Sequence, residues 1–213
     1  MKKGFTLAET LITIGIIGVV AALTLPTLMT NIQDKIFIFR FKKIYSQLNE
    51  VSKLLNIDFS EAYAAECRLY DDICLMELFQ QKMKVAKVCK TRAIDNGCKA
   101  SAKYKDGSTN NGLIDNLTLQ LRPAFLTLDG YSIQFRFHEI NNKHWGWLQI
   151  DVNGLAKPNI MGRDIFVLAL LNGGMLKPIG YTPELNGYKD SFEKRKNGCT
   201  RTGFWCSSVY LGE

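Results

Sequence analysis

One stretch constrains this chain more than any other. From Thr10 to Gln33 there is no charged residue, and the most apolar part runs from Leu11 to Leu28. A single carboxylate, Glu9, stands at the front edge of the run, and Lys2 and Lys3 precede it. A helix from Phe5 to Leu28 would be roughly 36 Å long, enough to cross a bilayer. A charge in hydrocarbon is costly, so Glu9 is expected to have a partner. An ordinary secretory signal has a shorter apolar core, of about 7–15 residues, ending at a small-residue cleavage site. Ala21-Ala22 offers such a site, but the core is too long and Glu9 sits on its edge.

The residues Lys2-Lys3-Gly4-Phe5-Thr6-Leu7-Ala8-Glu9 resemble the leader and first mature residues of type IV pilins and type II secretion pseudopilins. The resemblance implies that a dedicated peptidase on the cytoplasmic side cuts after Gly4 and methylates the new N-terminal residue, Phe5. Glu9 is then the fifth residue after the cut and Pro26 the 22nd, where that family carries a glutamate and often a helix-bending proline. The likeness is dense over residues 2–26 and thin afterwards. Cutting would free an amine four residues from Glu9 on the same helical face. Glu9 then has two expected uses: pairing with its own chain's amine, or with that of a neighbouring subunit, which would set an assembly register. Pro26 removes a backbone donor and should bend or loosen the helix near Ala22. Gly15, Gly18, Thr24 and Thr27 suit close helix packing.

Beyond the run, Ile32, Ile36, Phe39, Ile44, Leu48, Val51 and Leu55 recur at spacings of three to five, as in an amphipathic helix. Pro26 is the only breaker, so one long helix over about residues 5–56 is expected. The resulting division is a leader (1–4), a transmembrane and assembly helix (5–30), the amphipathic second half of that helix (31–56), a cysteine-containing helix and loop region (57–112), an antiparallel sheet (113–172) and a C-terminal loop region (173–213). Glu61–Ala65 and Leu75–Val88 have helical composition, and 94–112 reads as loop. Tyr131–His138 and Trp145–Val152 alternate as strands, and Asp164–Leu171 is a third. The expected fold class is α+β, with the sheet's inner face on the second half of the helix. Pilin-like heads share this plan.

Six cysteines fall as Cys67/Cys74, Cys89/Cys98 and Cys199/Cys206. Short local spacings behind an apolar segment favour local disulfides in an oxidising compartment, although spacing alone does not fix connectivity. Zinc is disfavoured, because no C-x-x-C occurs. Between the later strands, Asp151, Asn153, Asn159 and Asp164 offer oxygen ligands. Some secretion pseudopilins bind calcium in a C-terminal loop, but these four do not match EF-hand spacing, and turn capping is the favoured reading. No cofactor is otherwise expected.

Nothing points to catalysis. The sequence lacks G-x-S-x-G, H-E-x-x-H and phosphate-loop patterns. Its two histidines, His138 and His144, flank one expected hairpin turn. The net charge of +7 is first a matter of solubility. Lys82, Lys84, Lys87, Lys90, Arg92, Lys99, Lys103 and Lys105, with Tyr104 among them, make residues 82–105 basic. DNA binding is therefore the alternative function, with a solvated basic face favoured over it. The expected role is a prepilin-like structural subunit of a type II secretion pseudopilus or a type IV pilus. Its implied partners are the prepilin peptidase/methyltransferase, other pilin-like subunits, an inner-membrane assembly platform and membrane lipid. The implied location is the bacterial inner membrane, single-pass, with the N-terminus cytoplasmic and the head outside. Lys35, Arg40, Lys42 and Lys43 oppose that orientation by charge count, so it rests on the resemblance.

Overall fold

The computed structural model describes residues 6–56, 63–64, 67–68, 71–108, 121–140, 143–179 and 192–212. The chain divides into two units, residues 1–36 and 37–213. Helix α1 spans Leu7–Leu55 with Pro26 inside it. In the first unit its large apolar side chains are exposed from Leu7 to Met29. The hydroxyls of Thr10, Thr13, Thr24, Thr27 and Thr30 each donate to a carbonyl three or four residues back, at 2.6–2.9 Å. Those five hydroxyls are thus satisfied within the helix and need no water, which suits hydrocarbon.

In the second unit α1 buries Phe37, Phe41, Ile44, Leu48 and Ser52. Their spacing of 4, 3, 4 and 4 keeps the helical period. The sequence spacing points to Ile32, Ile36 and Phe39 for this stripe, but they are exposed, Phe39 at 71%. The reason lies in the step of five from Phe39 to Ile44, which leaves the helical face, whereas Phe37 and Phe41 stay on it. Asn56, at φ 44°, ends the helix in the left-handed conformation, its N–H donating to Ser52 O at 3.1 Å.

A two-stranded pair, β1 (Tyr63–Ala64) and β2 (Cys67–Arg68), precedes α2 (Asp72–Gln80). Then come β3 (Val85–Cys89), β4 (Ala124–Thr127), β5 (Ser132–Ile140), β6 (Lys143–Asp151), β7 (Ile165–Leu171) and β8 (Met175–Pro178). These six form one antiparallel meander in chain order. The layout is α+β and pilin-like. The helical reading of Leu75–Val88 fails after Gln80: α2 stops there and Val85–Cys89 becomes an edge strand. The hairpin turn expected at Asn141-Asn142 lies outside the described residues.

On one sheet face Ile133, Phe135, Leu148, Ile150, Phe166 and Leu168 pack with α1 and α2. Phe41 stacks on Phe166 with ring centroids 4.1 Å apart. Gly146 leaves room for Leu75, whose Cδ2 would lie 3.3 Å from an added Cβ. The other face is buried too. Trp145, Trp147, Ile165, Val167 and Ala169 lie under Ala102, Tyr104, Phe204 and Trp205. All seven residues of β7 are therefore buried, which accounts for its unbroken apolar run.

The segment after Cys98 is held by backbone bonds: Lys103 N–H to Asn159 O (3.0 Å), Met161 N–H to Lys103 O (2.8 Å) and Lys105 N–H to Thr202 O (3.2 Å). The chain's end is not loop, as its prolines and glycines suggested, but two short helices, α3 (Phe192–Arg201) and α4 (Cys206–Leu211). Phe204 and Trp205 join the outer-face cluster, whereas Val209, Tyr210 and Leu211 pack with the helix-side core. Gly203, at φ +82°, lets the backbones meet: an added Cβ would fall 1.8 Å from Met161 O.

Candidate functional site

The first candidate region is the start of α1. Gly4 and Phe5 lie outside the described residues, which begin at Thr6. Thr6 is the helix's N-cap, since its carbonyl accepts the first helical bond, from Thr10 N–H at 3.2 Å. Glu9 lies in the first turn and is exposed. Its Oε2 accepts from Thr6 N–H at 2.9 Å and from the Thr6 hydroxyl at 2.8 Å. In return Glu9 N–H donates to Thr6 Oγ1 at 3.3 Å. This is a capping box. Thr6-Leu7-Ala8-Glu9 before an apolar run is the sequence pattern that marks one.

Pro26 is exposed within the continuous helix. It has no N–H for Ala22 O, while its own carbonyl accepts from the Thr30 hydroxyl at 2.9 Å. An added Cβ at Gly15 or Gly18 would meet nothing within 4 Å. The helix is long and apolar enough to cross a membrane, and none of its most apolar window is buried.

The second region is the cysteine framework. Disulfides join Cys89 to Cys98, with Cα atoms 6.1 Å apart, and Cys199 to Cys206, 4.5 Å apart. Cys74 is disulfide-bonded as well; the side chain of Cys67 lies outside the described residues. Each of the two resolved bridges fixes a segment that helps cover the sheet.

The third region is the connection from β6 to β7, which brings Asp151, Asn153, Asn159 and Asp164 together. Asp164 is fully buried and accepts from the N–H groups of Asn159 (2.7 Å) and Ile160 (2.6 Å). Asp151 accepts from Asn153 N–H at 3.2 Å. The Asn153 amide donates to Ala156 O (2.9 Å) and Lys157 O (3.0 Å). With its amide nitrogen turned to them, Asn159 donates to Ala156 O (2.9 Å) and Asp151 Oδ2 (3.2 Å). These bonds are turn chemistry of the Asx kind. Burial and the neighbouring Asp164 push the Asp151 carboxyl well above its ordinary range, and burial raises Asp164 against two backbone donors. Among the described residues no group of three or more histidine, cysteine or acidic side chains is placed to hold a metal ion.

The fourth region is the basic segment. Lys82, Lys84, Lys87, Lys103 and Lys105 are exposed. Lys90 pairs with Glu77 at 2.7 Å and Arg92 with Asp95 at 2.8 Å. Lys99 and Tyr104 are buried, Lys99 donating to Gln134 Oε1 at 2.6 Å. The side chains of His138 and His144 lie outside the described residues.

Asp72 also escaped the sequence reading. It pairs with Arg122 and accepts from Phe137 N–H at 2.6 Å. It thereby takes a place that a longer β4 would fill. Burial raises its pKa despite these partners.

Residues 1–25 match the family model described as the prokaryotic N-terminal methylation motif. No curated protein and no solved structure matches the chain.

Proposed function

From the prepilin-type cleavage and methylation segment of type IV pilin-like proteins, carried at residues 1–25, we propose the chain's life history. The chain is prepilin-like. It inserts through α1 with Lys2 and Lys3 on the cytoplasmic side and its head outside. The prepilin peptidase cuts between Gly4 and Phe5 and methylates Phe5. The subunit is then built through its N-terminal helix into a type II secretion pseudopilus or a type IV pilus, with other pilin-like subunits and an inner-membrane platform. Glu9 pairs with a Phe5 amine, and Pro26 adapts the helix to its neighbours.

The observation that carries this reading is the contrast within α1. Its large apolar residues from Leu7 to Met29 are exposed, so they need partners from outside the chain, first lipid and then other helices. A pilin-type motif fits a structural rather than catalytic role. The DNA-binding alternative has less behind it: Lys99 and Tyr104 are buried, and Lys90 and Arg92 have acidic partners.

Mass spectrometry of the chain isolated from its own membranes tests the reading. The expected N-terminus is a methylated Phe5; an intact Met1, or a cut near Ala22, overturns it. Retardation of DNA by the protein across a salt series would revive the alternative.

A further inference from the structure

We propose that Thr6 is a positioning residue for Glu9. The inference deepens the assembly reading above and rests on it. Both groups that Thr6 can donate, its N–H and its hydroxyl, point at one oxygen, Glu9 Oε2, at 2.9 and 2.8 Å. The same hydroxyl oxygen accepts Glu9 N–H at 3.3 Å. A helix cap needs only that last bond and the one from Thr6 N–H. The hydroxyl proton on Oε2 is an addition, and it acts on the carboxylate rather than on the helix.

Two consequences follow. First, the carboxylate is held back toward the start of the chain, where a cut after Gly4 would place an ammonium group next to Thr6 in sequence. Among the described residues Oε1 accepts no hydrogen bond, so it stays available to that ammonium or to a neighbour's. A glutamate whose rotamer is fixed beforehand loses less freedom when the pair forms. Second, two donors on Oε2 compensate part of the cost of carrying a carboxylate at the edge of hydrocarbon before any amine exists. Thr6 thereby bridges the period between synthesis and cutting, before Glu9 has an amine to pair with.

The test uses the full chain in its own membranes with its own assembly machinery. Thr6→Ser keeps the hydroxyl. Thr6→Val removes it at constant shape. Thr6→Asp keeps a strong N-cap acceptor and the backbone donor, but its side chain cannot donate to Glu9 and repels it. The readouts are the N-terminal mass and the share of subunits recovered in sheared filaments. Cleavage after Gly4 is expected in all three. Incorporation should match the parent for Thr6→Ser and fall about tenfold for Thr6→Val and Thr6→Asp, as for loss of a charge-assisted hydrogen bond. Adding Thr6→Val to Glu9→Gln should lower incorporation no further, because both act through one carboxylate.

Parental incorporation by Thr6→Asp would make Thr6 a helix cap alone and overturn the inference. So would parental incorporation by Thr6→Val, failure of Thr6→Val to be cut, or additive losses in the double variant. An uncut parent chain would instead overturn the processing reading, and this inference with it.

Discussion

Leu11–Leu23 of α1 and Ile165–Leu171 of β7 are both almost wholly apolar, and they meet opposite fates. Every residue of β7 is buried, between α1 on one face and the Cys98–Lys105 segment and chain end on the other. In the α1 stretch the large side chains are exposed, Ile16 at 60%. Apolar composition states only that a segment must leave water. Whether the cover comes from the same chain or from outside depends on what the rest of the sequence can place over it.

Truncation tests this contrast most strongly. Phe166→Ala, which empties the place stacked on Phe41, should cost the head about 3–5 kcal/mol. Ile16→Ala should leave the head's thermal midpoint unchanged in the detergent-solubilised chain; a shift there would break the comparison. Glycines give the next pair. Gly203→Ala drives a Cβ into the Met161 carbonyl and should cost about 3 kcal/mol. Gly15→Ala meets nothing and should gain helix stability by ~1 kcal/mol or less. Circular dichroism melts separate the two.

A smaller effect is expected for Asp72→Ala, about 2 kcal/mol, from leaving the buried Phe137 N–H without its acceptor. Urea titration of the head checks it, and an unchanged midpoint would remove Asp72 from the sheet's support.

The smallest effect concerns pH. Asp72, Asp151 and Asp164 have raised folded-state pKa values. A raised carboxyl favours the protonated folded state. Its stabilising contribution is complete below the unfolded value and is lost as pH rises through the folded one. The head should therefore melt at a higher temperature near pH 5 than near pH 7.5, and Asp151→Asn should flatten the difference. A midpoint that falls on acidification in the parent would contradict these shifts.

Much of the plan was legible. A charge-free run followed by a periodic stripe specified α1, because a helix repeats its environment every few residues. Alternation in Tyr131–His138 and Trp145–Val152 specified two strands, because successive side chains face opposite ways. Other elements left no such signal. β3 is five residues long and half exposed, too short for its alternation to outweigh the helical composition running into it. α3 (FEKRKNGCTR) has hardly an apolar residue; Gly198 and buried Arg195 link it to the fold, the glycine packing against Trp205. In the start region, Glu9 stands out by its charge, whereas Thr6 carries no charge to mark it.

By itself the sequence determined the leader-like start, a helix with an apolar first half, the α+β order and local cysteine spacing. All of these are properties of neighbours along the chain. Only the tertiary structure decided which helix face is buried, that both sheet faces are covered, and that Asp72 completes a strand edge. Those outcomes depend on residues far apart in sequence, and a periodic pattern holds no record of what will be brought against it.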